Sequence, residues 1–171
     1  MKIITISGAH KGVGKTALAC RILKSLKGFG AIKTTVSKEN VSVTSKEEAI
    51  EVPGKDTALL KEAGAEKVVL VSSPRKDLGW ALKVALRMVS GCKGVIIEGT
   101  GVLDYIKPDV AILIKDAPDF IGEPCFFTSF KNKAKGKRIK ESAKRALKKV
   151  DLVISSDEFD KAIRFIKKRI R

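Results

Sequence analysis

The run Gly8-Ala9-His10-Lys11-Gly12-Val13-Gly14-Lys15-Thr16 constrains this chain more than any other stretch. It follows the apolar segment Ile3-Ile4-Thr5-Ile6 and precedes Ala17-Leu18-Ala19-Cys20-Arg21-Ile22-Leu23, which has the spacing of a buried helix face. A strand, a glycine-rich turn, Gly-Lys-Thr and then a helix form the context that a phosphate-binding loop requires. Glycines let successive backbone N–H groups turn toward an anion, and the helix N-terminus adds the positive end of its dipole. The residues expected to bind a nucleotide are therefore Gly8, His10, Lys11, Gly12, Val13, Gly14, Lys15, Thr16 and Ala17. Lys15 is placed to reach the β- and γ-phosphates, and the Thr16 hydroxyl to ligate Mg²⁺. One spacing departs from the usual form. Five residues separate Gly8 from Gly14, one more than in G-x-x-x-x-G-K-[ST], and Ala9 stands where the first glycine normally falls.

The remainder alternates strand and helix. The first helix is expected over 15–27, with Ala19, Ile22, Leu23 and Leu26 on one face, and Gly28 and Gly30 end it before a strand over 29–33. Residues 35–55 read as an irregular connection with a short edge hairpin at Val41-Ser42-Val43. A helix over 56–63 leads into a strand over 68–71, and a helix over 78–89 turns Leu78, Leu82, Ala85 and Val89 inward. Three apolar strands follow, at 95–97, 110–114 and 152–154, and a last helix spans 157–169, with Ser155 and Glu158 spaced as a capping box. Near-continuous Val/Ile strands alternating with helices predict a mostly parallel sheet covered on both faces. The expected fold class is α/β, a three-layer P-loop NTPase domain. At 171 residues the chain has room for one such domain, over 1–171.

Composition excludes several other classes. There is no charged-then-apolar leader and no apolar run near ~18 residues, so neither a signal peptide nor a membrane span is expected. Cys20, Cys92 and Cys125 are far apart and His10 is the only histidine, which argues against a zinc site or a disulfide framework. A reducing, cytoplasmic setting fits. The formal net charge of +16 is uneven, with +11 of it carried from residue 131 onward, much of it between Lys131 and Lys140. One reading of the basic stretch 131–149 is a surface for nucleic acid. The other is a solvated face or the positive field around a phosphate-rich ligand, and the scarcity of aromatics among these lysines favours it.

Parallel sheets bind ligands at the carboxyl ends of their strands, which singles out three polar residues. Lys33 is expected to close the second strand, Asp56 to open a helix after Pro53-Gly54-Lys55, and Glu98 to end Val95-Ile96-Ile97 ahead of Gly99-Thr100-Gly101. Thr16, Asp56 and Glu98 offer hard oxygens suited to Mg²⁺, and Lys15 and Lys33 are the candidate catalytic residues through their charge. Each has a structural alternative. Asp56 can serve as a helix cap and Lys33 as an edge lysine stretched to solvent, whereas a carboxylate directly after three buried β-branched residues needs a partner. Phe120, Phe126, Phe127 and Phe130 read as core or dimer contacts ahead of a base-stacking surface.

These residues carry a resemblance. The long loop, Lys33, Asp56 and Glu98-Gly99-x-Gly101 resemble dethiobiotin synthetase and its P-loop relatives, where the matching lysine, threonine, aspartate and glutamate bind phosphates and Mg²⁺. Lys55-Asp56-Thr57, Glu62-Ala63-Gly64-Ala65 and Ile97-Glu98-Gly99 also resemble MobB, the nucleotide-binding accessory family of molybdenum cofactor biosynthesis. That resemblance implies a protein of this length that binds GTP, is commonly a homodimer and works with a cofactor-biosynthesis protein partner. Both cover about 1–115; the loop spacing is nearer dethiobiotin synthetase, and the middle of the chain nearer MobB. MinD-type dimer switches are set aside, because His10 occupies the place of their second lysine and Lys11 lies one residue away. Asn132-Lys133-Ala134-Lys135 lacks the aspartate of an N-K-x-D base reader, so the residues leave ATP and GTP both open. Three functions follow: a MobB-like accessory protein with weak NTPase activity, an ATP-dependent ligase of the dethiobiotin or cobyrinate-amidating type, and a nucleotide-dependent regulator or nucleic-acid binder.

Overall fold

The computed structural model describes residues 1–115 and 141–170. Seven strands, β1 Lys2–Gly8, β2 Phe29–Val36, β3 Ser42–Thr44, β4 Val68–Ser73, β5 Gly94–Glu98, β6 Val110–Ile114 and β7 Leu152–Ile154, form one sheet in the order β3-β4-β2-β5-β1-β6-β7. Among the described strands only β3 is antiparallel, pairing with β4 at the edge. Among the described residues the helices are α1 Lys15–Ser25, α2 Glu47–Ile50, α3 Asp56–Glu62, α4 Leu78–Met88, α5 Glu141–Leu147 and α6 Phe159–Arg169.

Period-two alternation along the strands sorts the core into two faces. Ile4, Ile6, Ala31, Ile96, Ile112 and Ile114 turn toward Leu18, Ile22 and Leu23 of α1, Leu60 of α3 and Ala162 and Ile166 of α6. Ile32, Val69, Val71, Val95 and Ile97 turn the other way, onto Leu82 and Ala85 of α4. Ala111 and Leu113 meet Ala143 and Ala146 of α5. Strands β5 and β6 are buried at every position, which explains the apolar runs Val95–Ile97 and Val110–Ile114. The result is the expected three-layer α/β architecture.

Several boundaries differ from expectation. Lys33 lies inside β2, which continues through Thr34, Thr35 and Val36 because it stays paired with β4 as far as Ser73. The segment read as an edge hairpin is strand β3, paired with β4 across a long connection. α1 stops at Ser25, α3 at Glu62 and α4 at Met88. A single 3₁₀ turn, Ser156–Glu158, precedes α6. The expected capping interaction forms there: the Ser155 N–H and hydroxyl both donate to Glu158 Oε2 at 3.0 Å. α2 and α5 were not anticipated. The phenylalanine cluster Phe120, Phe126, Phe127 and Phe130, Cys125, the Asn132-Lys133 motif and the basic run 131–140 lie outside the described residues.

Candidate functional site

β1 runs through the middle of the sheet, between β5 and β6, and the loop from Gly8 to Gly14 springs from its carboxyl end. Two neighbours grip the start of the loop. Ala9 N–H donates to the Ile114 carbonyl at 2.9 Å, on the β6 side. On the β5 side, the Thr100 hydroxyl donates to the Gly8 carbonyl at 3.1 Å and accepts from the Gly8 N–H at 3.4 Å. Ala9 is fully buried, and among the described residues only glycines take positive φ. A Cβ therefore fits where the usual loop has glycine, which accounts for the unusual spacing.

The two later glycines are required. Gly12 and Gly14 take φ values of 80° and 93°, in the left-handed region that disfavours a side chain. A Cβ on Gly14 would also lie 3.1 Å from Phe159 Cζ at the start of α6. Val13 is buried beneath the loop and packs where a side chain on Gly8 would go. Gly14 closes the turn by accepting the first helical hydrogen bond, from Leu18 N–H at 3.0 Å. Lys15 and Thr16 thus occupy the first turn of α1 at the mouth of the sheet, with Lys11 and Ala17 exposed and His10 half-buried on the loop.

Beneath that turn lies a charge cluster that the register builds. Glu98 ends β5 opposite Ile6 of β1 on one side and Lys33 of β2 on the other. Lys33 Nζ donates to Glu98 Oε1 at 2.5 Å and lies 2.5 Å from Asp56 Oδ2 at the start of α3. The Thr16 hydroxyl donates to the second Glu98 oxygen, Oε2, at 2.9 Å. Burial grades across the cluster: the Glu98 side chain is 2% exposed, Lys33 13% and Asp56 48%. So the structure brings together Thr16, Lys33, Asp56 and Glu98, four residues far apart in sequence.

The electrostatics follow from that geometry. Burial works against the Lys33 charge, but the charges of Glu98 and Asp56 and their hydrogen bonds outweigh it and raise its pKa. Burial likewise opposes the charged form of Asp56. Its hydrogen bond to Lys33 and the charge of Lys33, with smaller contributions from Thr16 and Lys15, overcome that and lower its pKa. Cys20, one turn beyond Thr16 on α1, has its thiol pushed up to about 11 by burial and by the Glu98 charge, which makes it a poor nucleophile.

Among the described residues no group of three His, Cys, Asp or Glu side chains gathers as a self-sufficient metal site. Two carboxylates and a hydroxyl are instead the donor set of a hard cation that takes its other ligands from water and phosphate, and in that sense Thr16, Asp56 and Glu98 fit Mg²⁺. Sequence reasoning missed three contributors: the Thr100 hydroxyl on Gly8, the Thr34 hydroxyl that donates to the Glu98 carbonyl at 3.0 Å, and Phe159 against Gly14. Thr34 and Thr100 each adjoin or closely follow a singled-out residue, so proximity in sequence was the available signal. Nothing in the sequence pointed to Phe159.

A central parallel strand, a glycine-rich loop leading into Gly-Lys-Thr at a helix start, and an acidic residue closing the adjacent strand define the P-loop nucleotide-binding class. Within that class the relationship is specific. The family model described as molybdopterin guanine dinucleotide synthesis protein B, MobB, matches residues 3–107, and the chain belongs to this family. The match covers the loop, Lys33, Asp56 and Glu98 and ends just before β6. Comparison with curated proteins and with solved structures gave no match.

Proposed function

We propose that this chain binds a nucleoside triphosphate with Mg²⁺ at the Gly8–Thr16 loop and serves as a nucleotide-binding accessory protein in molybdopterin guanine dinucleotide synthesis. Family membership supports a role in this synthesis and is the ground for expecting GTP ahead of ATP. The observation that carries the site assignment is the Thr16–Glu98–Lys33–Asp56 cluster placed directly under the loop. In this reading the loop amides of Gly12, Val13 and Gly14 and the Lys15 ammonium bind the phosphates. Thr16, Asp56 and Glu98 hold Mg²⁺, which when bound neutralises charge on the phosphate oxygens. His10, Lys11 and Ala17 border the bound nucleotide.

Turnover is expected to be slow, because the two lysines act by charge alone. A Lys33 whose pKa is raised stays an ammonium at neutral pH and takes no proton from water. An Asp56 whose pKa is lowered is a weak base. The reading extends to a cytoplasmic homodimer that hands its nucleotide-bound state to a protein partner, over a single domain spanning 1–171. Among the described residues no helix is long and apolar enough to cross a membrane.

Calorimetric titration with GTP and with ATP, each with and without Mg²⁺, tests the proposal. GTP should bind more tightly than ATP, binding should strengthen with Mg²⁺, and Lys15→Ala should abolish it. Equal indifference to both nucleotides in the folded protein would overturn it.

A further inference from the structure

The Lys33 ammonium stands in one place with respect to two carboxylates that a divalent cation would need. It contacts Glu98 Oε1 and Asp56 Oδ2 at 2.5 Å each, and so bridges strand β5 to the start of α3. Glu98 has its remaining oxygen, Oε2, occupied by the Thr16 hydroxyl. Each residue assigned to the metal thus contacts another member of the cluster, and a positive charge beside both carboxylates is already in the protein. We infer that Lys33 is a resident counter-cation that keeps divalent metal out of the nucleotide-free site and moves off the carboxylates only when a triphosphate arrives. The inference rests on the Mg²⁺–nucleotide reading of this site and adds its regulation.

The physical argument is one of charge balance. Two carboxylates, one of them buried, need about one or two positive charges close by. With Lys33 in place the Thr16–Lys33–Asp56–Glu98 cluster carries a net charge of about −1, and the charge of Lys15 acting on Asp56 offsets it further, so it is a weak lure for a dication that must shed water to enter. A triphosphate brings several negative charges to the mouth of the same site. That gives Lys33 a competing anionic partner, and its departure frees Asp56 and Glu98. Metal and nucleotide then bind as a pair, and free Mg²⁺ in the cell does not occupy the loop. Lys33 is a positioning residue here, acting through the carboxylates.

The test uses Mn²⁺ as the probe and reads bound metal by electron paramagnetic resonance, with no turnover involved. Wild-type protein should take up Mn²⁺ with GTP present and very little without it. Lys33→Gln should bind Mn²⁺ alone at least about tenfold more tightly than the wild type does, while Lys33→Arg, which keeps the charge, should not. A second readout needs no variant to fold differently: the ¹³Cε signal of Lys33 in ¹³C-lysine-labelled wild-type protein should shift on adding Mg²⁺ with GTP and stay unmoved by Mg²⁺ alone. Unchanged Mn²⁺ affinity in a folded Lys33→Gln, or a Lys33 shift with Mg²⁺ alone, overturns the inference and leaves the nucleotide site standing. No Mn²⁺ uptake by the wild type even with nucleotide overturns the underlying reading and the inference with it.

Discussion

Replacing both ends of the Lys33–Glu98 pair should cost less stability than the two single replacements added together. The pair is 2.5 Å apart, with Glu98 2% exposed and Lys33 13% exposed. At an effective dielectric of ~20 the attraction between such charges is about 7 kcal/mol, and withdrawing both ions from water takes back several kcal/mol, so the intact pair is worth little net. Breaking it is another matter. Lys33→Met leaves the Glu98 carboxylate buried with only a hydroxyl for company, and should cost about 3–4 kcal/mol. Glu98→Gln should cost about 2 kcal/mol, because Lys33 keeps its second partner, Asp56, which is half open to solvent. In the double variant no charge is stranded in the interior, and the loss should return to about 2 kcal/mol. The coupling is then about 3–4 kcal/mol, far above the ~0.5 kcal/mol within which independent sites add. Urea unfolding at neutral pH, read by circular dichroism on all four proteins with their m-values compared, measures each corner of the cycle. Additive losses would refute the claim that Lys33 and Glu98 are held as a coupled pair.

Two further outcomes follow from the same region. Asp56 holds its carboxyl below the ordinary 3.8, so its contribution to stability is present above that pH and is lost as pH falls through the lower folded value. Lys33 is the reverse: its contribution is present below 10.5 and fades as pH rises through its raised folded value. In Tm-against-pH curves, Asp56→Asn should flatten the acid limb and Lys33→Met the alkaline limb; limbs that superimpose on the wild type would contradict this. Gly99→Ala should destabilise by about 1–3 kcal/mol, since the new methyl collides with the Thr34 hydroxyl that holds the Glu98 carbonyl. Thr34→Ala in the same chain should relieve part of that loss in thermal unfolding, and a purely additive result would show the clash lies elsewhere.

What could be read from the sequence was whatever depends on local pattern. The buried run before Gly8 and the 3.6-residue spacing after Thr16 fixed strand and helix around the loop, and the Ser155–Glu158 spacing yielded its cap. Glu98 was legible because a carboxylate after Val95-Ile96-Ile97 has no good reason to be there without a partner. The identity of that partner was not legible. Lys33 meets Glu98 through a register between β2 and β5 that are some sixty residues apart, and no spacing rule encodes it. The local sequence closes the strand at Lys33, whereas the strand runs on through Thr34, Thr35 and Val36 in its pairing with β4. The Val41–Val43 segment was misassigned for a related reason: alternation identifies an edge strand but does not name its neighbour. Of its apolar residues α5 turns only Ala143 and Ala146 inward and leaves Leu147 exposed, so its period does not stand out before the sheet is there to receive it.

The left-handed glycine at the head of α1 leans on Phe159, a residue contributed by the last helix. Its companion Ala9 is tethered to the end of β6, and β1 itself finds one of its two partners only in that strand. During synthesis, therefore, the Gly8–Gly14 loop emerges well before β6 and α6, the elements that surround it. A nascent chain can make the loop early, but it has to wait for the distal strands and α6 before the loop is buttressed. Translation order and assembly order run in opposite directions here, which ties a buttressed loop to the later arrival of β6 and α6.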